Sequence, residues 1–144
     1  RRKLSDMCND GEITSLRSVV AALAWVARQV RPDLSYRVSR LQSIANKSQI
    51  KDLRECNKTL EFALAHSDKG IHFSSDGIDW NDMVICTVTD ASFCNETVLV
   101  GEEKEGNRSQ QGYILALAPA DMMNRSEATI HPISWSSTVI KRVC

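Results

Sequence analysis

The hydrophobic period of this chain changes once, at Gly70, and that change limits what the chain can fold into. Before Gly70, apolar residues recur at steps of three and four. After it, they alternate or run in short blocks bounded by turn residues. A chain of 144 residues with this layout is expected to put helices first and strands second.

Ile13, Leu16, Val20, Leu23, Ala27 and Val30 trace one face of a helix over 12–30. Gly11 precedes this helix, and Arg31-Pro32 closes it, because a residue before proline avoids helical dihedrals. Pro32 suits the first turn of a second helix over 33–46, with Leu34, Val38, Leu41 and Ala45 as its stripe. A third helix over 49–67 is expected to take Ser48 as N-cap and to bury Ile50, Leu53, Leu60 and Leu64, with Cys56 and Ala63 beside them. Gly70 stands where a left-handed cap belongs, and Trp25 and Trp135 read as core residues.

Beyond Gly70, "IHFSS" reads as a short strand, and "MVICTVTD" as a strong strand ending at Asp90. The charged "NETVLVGEEKEGNRSQ" reads as containing a loop, "QGYILALAP" as the next strand, "ADMMNRSEAT" as another loop and "IHPISWSS" as the last strand. Pro132 marks an edge position or a bulge. Short polar connections suggest an antiparallel meander. The expectation is therefore an α+β chain: a tail over 1–11, a helical segment over 12–70, and strands over 71–144.

Net charge is zero, but it is unevenly divided. Residues 1–69 hold 13 Lys/Arg against 8 Asp/Glu, and residues 70–144 hold 5 against 10. A basic half can hold a polyanion and an acidic half a cation; equally, both can be solvated faces that attract each other. Arg28, Arg31, Arg37 and Arg40 fall on or between the first two helices, and Arg37 and Arg40, three apart, share one face, which can be a binding face or a solvated one. The five cysteines form no CxxC pair and read as reduced thiols, so the expected location is intracellular. The N-x-[ST] sequons at Asn46, Asn57, Asn95, Asn107 and Asn124 are read as accidents of composition, because no signal peptide precedes them. No apolar run reaches the ~20 residues that span a bilayer, so no membrane partner is expected. The chain starts without Met and is read as cut from something longer.

Asp90 has two readings: a turn-forming residue, or a metal ligand on a rigid strand end. Asp76, Asp79 and Asp82 precede the strand in a turn, and His66, His72 and His131 are too scattered for a ligand set. Trp80 in "GIDWND" reads as exposed or as part of a lid.

Three segments together resemble the Pol polyprotein of copia-type LTR retrotransposons. "LRSVVAALAWVARQVRPDLSYRVSRL" (16–41) is similar to the helical segment after that family's reverse-transcriptase palm, with Arg31-Pro32-Asp33 as its Arg-Pro-Asp. "TVTDASF" (87–93) is similar to the start of its ribonuclease H domain. "SQQGYILAL" and "HPISWSS" are similar to its Ser-Gly-Tyr and Pro-Ile-Ser-Trp-Ser-Ser strands. The order agrees from about residue 12 to the end.

The resemblance implies a helical, thumb- or connection-like segment over 12–70 and a partial ribonuclease H-like domain over 71–144, the first three antiparallel strands of an incomplete sheet. It implies that Asp90 is the first carboxylate of a site in which two Mg²⁺ ions about 4 Å apart promote hydrolysis of RNA in RNA–DNA hybrids. It also implies that the other carboxylates lie beyond Cys144, so this chain alone holds no complete active site. The implied partners are nucleic acid, with Arg28, Arg31, Arg37 and Arg40 as phosphate contacts beside an RNA–DNA hybrid, and the rest of the Pol polyprotein. Two departures stand out: Ser92 where the family has a second Asp, and an acidic "GEEKEG" where it has a basic stretch. They favour the alternative of a non-catalytic relic or domesticated binding module.

Overall fold

The computed structural model describes residues 2–75, 79–100 and 104–140, with 93–100 and 104–108 described by their backbone alone. It is an α+β fold of three α-helices followed by a three-stranded antiparallel sheet. Helix α1 spans Asp10–Gln29, a 3-10 turn spans Pro32–Leu34, α2 spans Ser35–Ile44 and α3 spans Ile50–Ala65. Strands β1 (Met83–Val100), β2 (Lys104–Pro119) and β3 (His131–Val139) form a meander in the order β1-β2-β3.

Helix α1 starts at Asp10, two residues before the expected start at residue 12, because Asn9 and Glu12 form a capping box: each side chain accepts from the other's backbone N–H. Helix α3 is capped by Gln49 and Asp52 rather than by Ser48, which is buried just before it. The helix's first free N–H groups find partners in the N-terminal segment. Ile50 N donates to Asp6 O at 3.0 Å and Lys51 N to Leu4 O at 3.0 Å, while Cys8 N returns a bond to Ser48 O at 2.9 Å. Residues 4–8 are thus a strap that satisfies a helix end, not a loose tail.

Leu16, Val20, Leu23, Ala27, Leu34, Val38, Leu41 and Cys56 make one buried core between the helices, as their spacing predicts. Burial also pushes the Cys56 thiol up from its ordinary pKa. Three residues depart from expectation: Leu64 is 66% exposed, Trp25 67%, and Val30, at the C-cap of α1, 45%. Helix α3 turns its Asp52–Cys56–Thr59 side inward instead, leaving Leu53, Leu60 and Ala63 packed at the margin. The two buried polar residues are satisfied locally: Thr59 Oγ1 donates to Glu55 O at 2.8 Å, and Asp52 accepts from Gln49 N.

The β half differs from expectation in three places. Residues 71–75 form no strand; Phe73 is exposed and stacks on His131 at 6.1 Å. Gly70 is not a left-handed cap, since its φ lies outside the positive range and α3 already ends at His66. The first long strand does not end at Asp90, for Glu96 to Val100 pair with Arg108 to Lys104 after an irregularity past Ser92, and residues 101–103 of the segment expected to contain a loop lie outside the described residues. Cross-strand hydrogen bonds there override the low strand propensity of a charged, glycine-containing segment. Asp90 is consequently a mid-strand residue. Its strand lies at one side of the sheet, and β2 occupies the centre. The bulge near Pro132 is present, with Leu115 opposite Ser134 and Ala116 opposite Pro132. Among the described residues no helix is long and apolar enough to cross a membrane.

If the core is as described, Leu23→Ala lowers unfolding free energy by roughly 2–5 kcal/mol. Leu64→Ala is expected to change it by less than about 0.5 kcal/mol, as for an exposed site. Urea denaturation of both variants checks the assignment, and a reversed ranking contradicts it.

Candidate functional site

The residues of interest gather where the helical layer meets the sheet. Trp135 on β3 sends its indole N–H to Ala27 O in the last turn of α1, at 2.7 Å. This satisfies a carbonyl that the helix end leaves without an intrahelical partner. Register then fixes what lies nearby. Val88, Ile114 and Trp135 form one cross-strand row, and Asp90, Gly112 and Ser137 form another row two residues along, on the same face.

Between Pro32 and Tyr36 on the helical side and Asp90, Gly112 and Trp135 on the sheet lies a cleft of about 270 Å³. A second groove of about 360 Å³, lined by Thr89, Gln111, Ser136 and Thr138, shares Asp90 and Gly112 with it. Gly112 therefore forms the low floor beside the carboxylate. A Cβ there would meet Ser136 O at 3.4 Å, an ordinary contact, so the fold tolerates alanine; what glycine provides is room. The Asp90 carboxylate is exposed and makes no hydrogen bond or ion pair among the described residues.

Magnesium needs several oxygen ligands in near-octahedral array. Among the described residues no three His, Cys, Asp or Glu side chains come together; two carboxylates line the cleft, and that of Asp33 is held by Arg31. The residues present do not by themselves make a magnesium site, and no step is derived through the ion. Asp79 is occupied in its turn, accepting from Asn81 N at 3.0 Å, and Asp76 lies outside the described residues. Trp80 is exposed. His131 is buried on β3, while His72 lies in the irregular segment before it.

The four arginines are not equivalent. Arg28, Arg37 and Arg40 are exposed, but Arg31 is only 3% exposed and faces inward. Its guanidinium forks onto Asp33, with Nε to Oδ1 and Nη2 to Oδ2 both at 2.8 Å. Its Nη1 donates to His66 O at 2.7 Å and Ala63 O at 3.4 Å, two carbonyls at the C-terminal end of α3. Arg31 thus clasps the exit of α1 to the exit of α3, with little left over for a phosphate. The bond from Arg31 holds the Asp33 carboxyl below its ordinary pKa, and the same bond raises that of Arg31.

Phe62 on α3 was missed by sequence reasoning. Its ring receives Arg37 Cζ at 4.9 Å, Lys69 Nζ at 5.6 Å and Arg31 Cζ at 5.9 Å, and it stacks on His66 at 4.6 Å. No local spacing announces this, because the cations come from three different parts of the chain.

No family model, curated protein or solved structure matches this chain.

Removing the clasp tests its importance. Arg31→Ala is expected to cost about 1.5–3 kcal/mol from lost charge-assisted hydrogen bonds, with Asp33's own partial exposure limiting the purely electrostatic share. Arg31→Lys is expected to recover little, because an ammonium cannot reproduce the fork. Since the folded Asp33 carboxyl titrates below its unfolded value, the pair's contribution is present above the ordinary carboxylate pKa of about 3.9 and fades as pH falls through the folded value. Denaturation of native and Arg31→Ala chains between neutral and strongly acidic pH should therefore show the gap narrowing only in acid. A gap that widens on acidification contradicts the pairing.

Proposed function

We propose that this chain is a piece of a copia-type retroelement polyprotein, joining the helical segment after a reverse-transcriptase palm to the first strands of a ribonuclease H-like sheet. It lies against RNA–DNA hybrids. Asp90 contributes one metal-bridging carboxylate, and the remaining ligands come from elsewhere in the polyprotein. The observation that carries this reading is Asp90 itself: an exposed carboxylate with no partner among the described residues, on a paired strand, with glycine opposite it and a groove and a cleft beside it. Both Asp90 and Gly112 stand at positions that resemble that family's motifs. An acid held on a hydrogen-bonded strand is fixed in place, and a bare floor beside it admits a sugar–phosphate backbone.

The alternative, a non-catalytic interaction module, is favoured by a different observation. On β1, Ile85 is 66% exposed and Val88 61% exposed, more apolar surface than a chemical role for Asp90 requires.

The two readings part on a single substitution. In a polyprotein extended past Cys144, Mg²⁺-dependent cleavage of the RNA strand of a labelled hybrid is expected. Asp90→Asn should abolish that cleavage while leaving hybrid binding and melting temperature nearly unchanged, since the amide keeps the shape and removes the charge. Cleavage at the parental rate in the Asp90→Asn protein contradicts the catalytic reading.

A further inference from the structure

We propose that the groove between α1, α2 and β3 is a binding site for a phosphate group, with Arg28 as its cation and Ser39 and Ser137 as hydroxyl donors. On the function proposed above, that phosphate belongs to the backbone of a nucleic acid; the site depends on that reading only for the source of its ligand.

Three elements line this groove, and the sequence spacing of each explains what it brings. On α2, Ser35, Ser39 and Gln42 recur at steps of four and three, so they share one side of the helix. On α1, Ala24 and Ala27 are small and leave room, and Arg28 follows them in the last turn. On β3, Ser137 and Thr138 line the remaining side. The space enclosed is about 70 Å³. That equals the share of about two waters at roughly 30 Å³ each, and lies far below the roughly 300–1,000 Å³ of a pocket for a drug-sized ligand. The groove therefore suits a small ion or a single charged group rather than a nucleobase.

The chemistry of the lining selects an anion. Among the described residues no carboxylate lines the groove, whereas the adjoining cleft, which shares Ser35, Trp135 and Ser137 with it, carries Asp33 and Asp90. Arg28 is exposed and makes no ion pair among the described residues. The helix-end carbonyl of Ala27, which would repel an anion, already accepts the Trp135 indole N–H at 2.7 Å. Ser137 is set up as a donor. Its Oγ accepts from Gln110 Nε2 at 2.7 Å, and Gln110 is only 6% exposed, so the hydroxyl proton of Ser137 is left for another acceptor. A guanidinium fork with hydroxyl donors around it matches the several oxygens of a phosphate.

The test compares two variants of α1 with the same loss of charge. Arg28→Ala removes the cation of the groove, whereas Arg17→Ala removes an exposed arginine of the same helix that does not line it. Inorganic phosphate is titrated into each chain and followed by amide NMR shifts. In the native chain and in Arg17→Ala, saturable shifts are expected at Arg28, Ser39 and Ser137 with similar midpoints. Arg28→Ala is expected to weaken the response at Ser39 and Ser137 by about tenfold or more, the loss of one charge-assisted hydrogen bond, without a change in melting temperature. Equal responses in the two variants, or shifts that spread over the surface without saturating, overturn the site.

A short RNA–DNA hybrid separates the site from the source of its phosphate. If the hybrid is that source, Arg28→Ala flattens the salt dependence of its affinity by roughly one unit of slope, and Arg17→Ala leaves it unchanged. Unchanged hybrid affinity in Arg28→Ala, beside the expected phosphate response, keeps the site and removes the duplex as its ligand. Indifference of both probes to Arg28 overturns the proposal.

Discussion

The structure depends on a hydrogen bond between residues 108 apart in sequence: the indole N–H of Trp135 to the carbonyl of Ala27. A helix end has carbonyls without intrahelical partners, and one that lies against other protein needs a donor from outside the helix. Here the donor comes from the sheet. Trp135 shares its row with Ile114 and Val88, and the next row on that face is Ser137, Gly112 and Asp90. Fixing the indole on α1 therefore sets how far Asp90 stands from Pro32 and Tyr36. The cleft that gives Asp90 its interest results from this bond, from the packing of β3 along α2 and from the pleat of the strands.

A second constraint works at the other side of the α1 exit. The chain leaves α1 through Arg31, whose side chain turns back under α3 and bonds the last carbonyls there while gripping Asp33. One arginine thus satisfies two helix-exit carbonyls and orients the turn leading into α2. The consequence is electrostatic. With Arg31 neutralised internally, the basic character of this corner passes to Arg37 and Lys69, which Phe62 collects. The sequence's excess of positive charge in residues 1–69 is thereby sorted into one structural cation and others that face solvent.

How much of this was legible beforehand follows from how local each signal is. Leu16, Val20, Leu23, Leu34, Val38 and Leu41 were readable because their period belongs to their own helices. Leu64 was misread because a third helix buries only the side that its two neighbours cover, and capping by Asp52 with back-bonding by Thr59 made a partly polar side cheap to bury. Trp25 was misread for the same reason: it sits on α1 away from the seam. The strands after Asp90 run longer than propensity suggests, since a hairpin already paired from Met83 to Ser92 supplies partners for the next residues. Arg31 looked like a phosphate contact because nothing local shows that the end of α3 arrives beside it. Asp90 was legible as a candidate; its place in mid-strand opposite Gly112 required the register.

The central claim is that the Trp135 indole bond to Ala27 seats the Asp90 cleft against the helical layer. The most direct measurement is the amide NMR spectrum of a Trp135→Phe chain, which keeps an aromatic ring and removes the donor. The account predicts shifts at Ala27 together with shifts at Tyr36, Asp90 and Gly112. Shifts confined to the sequence neighbours of Trp135, with Tyr36 and Asp90 unmoved, would contradict it.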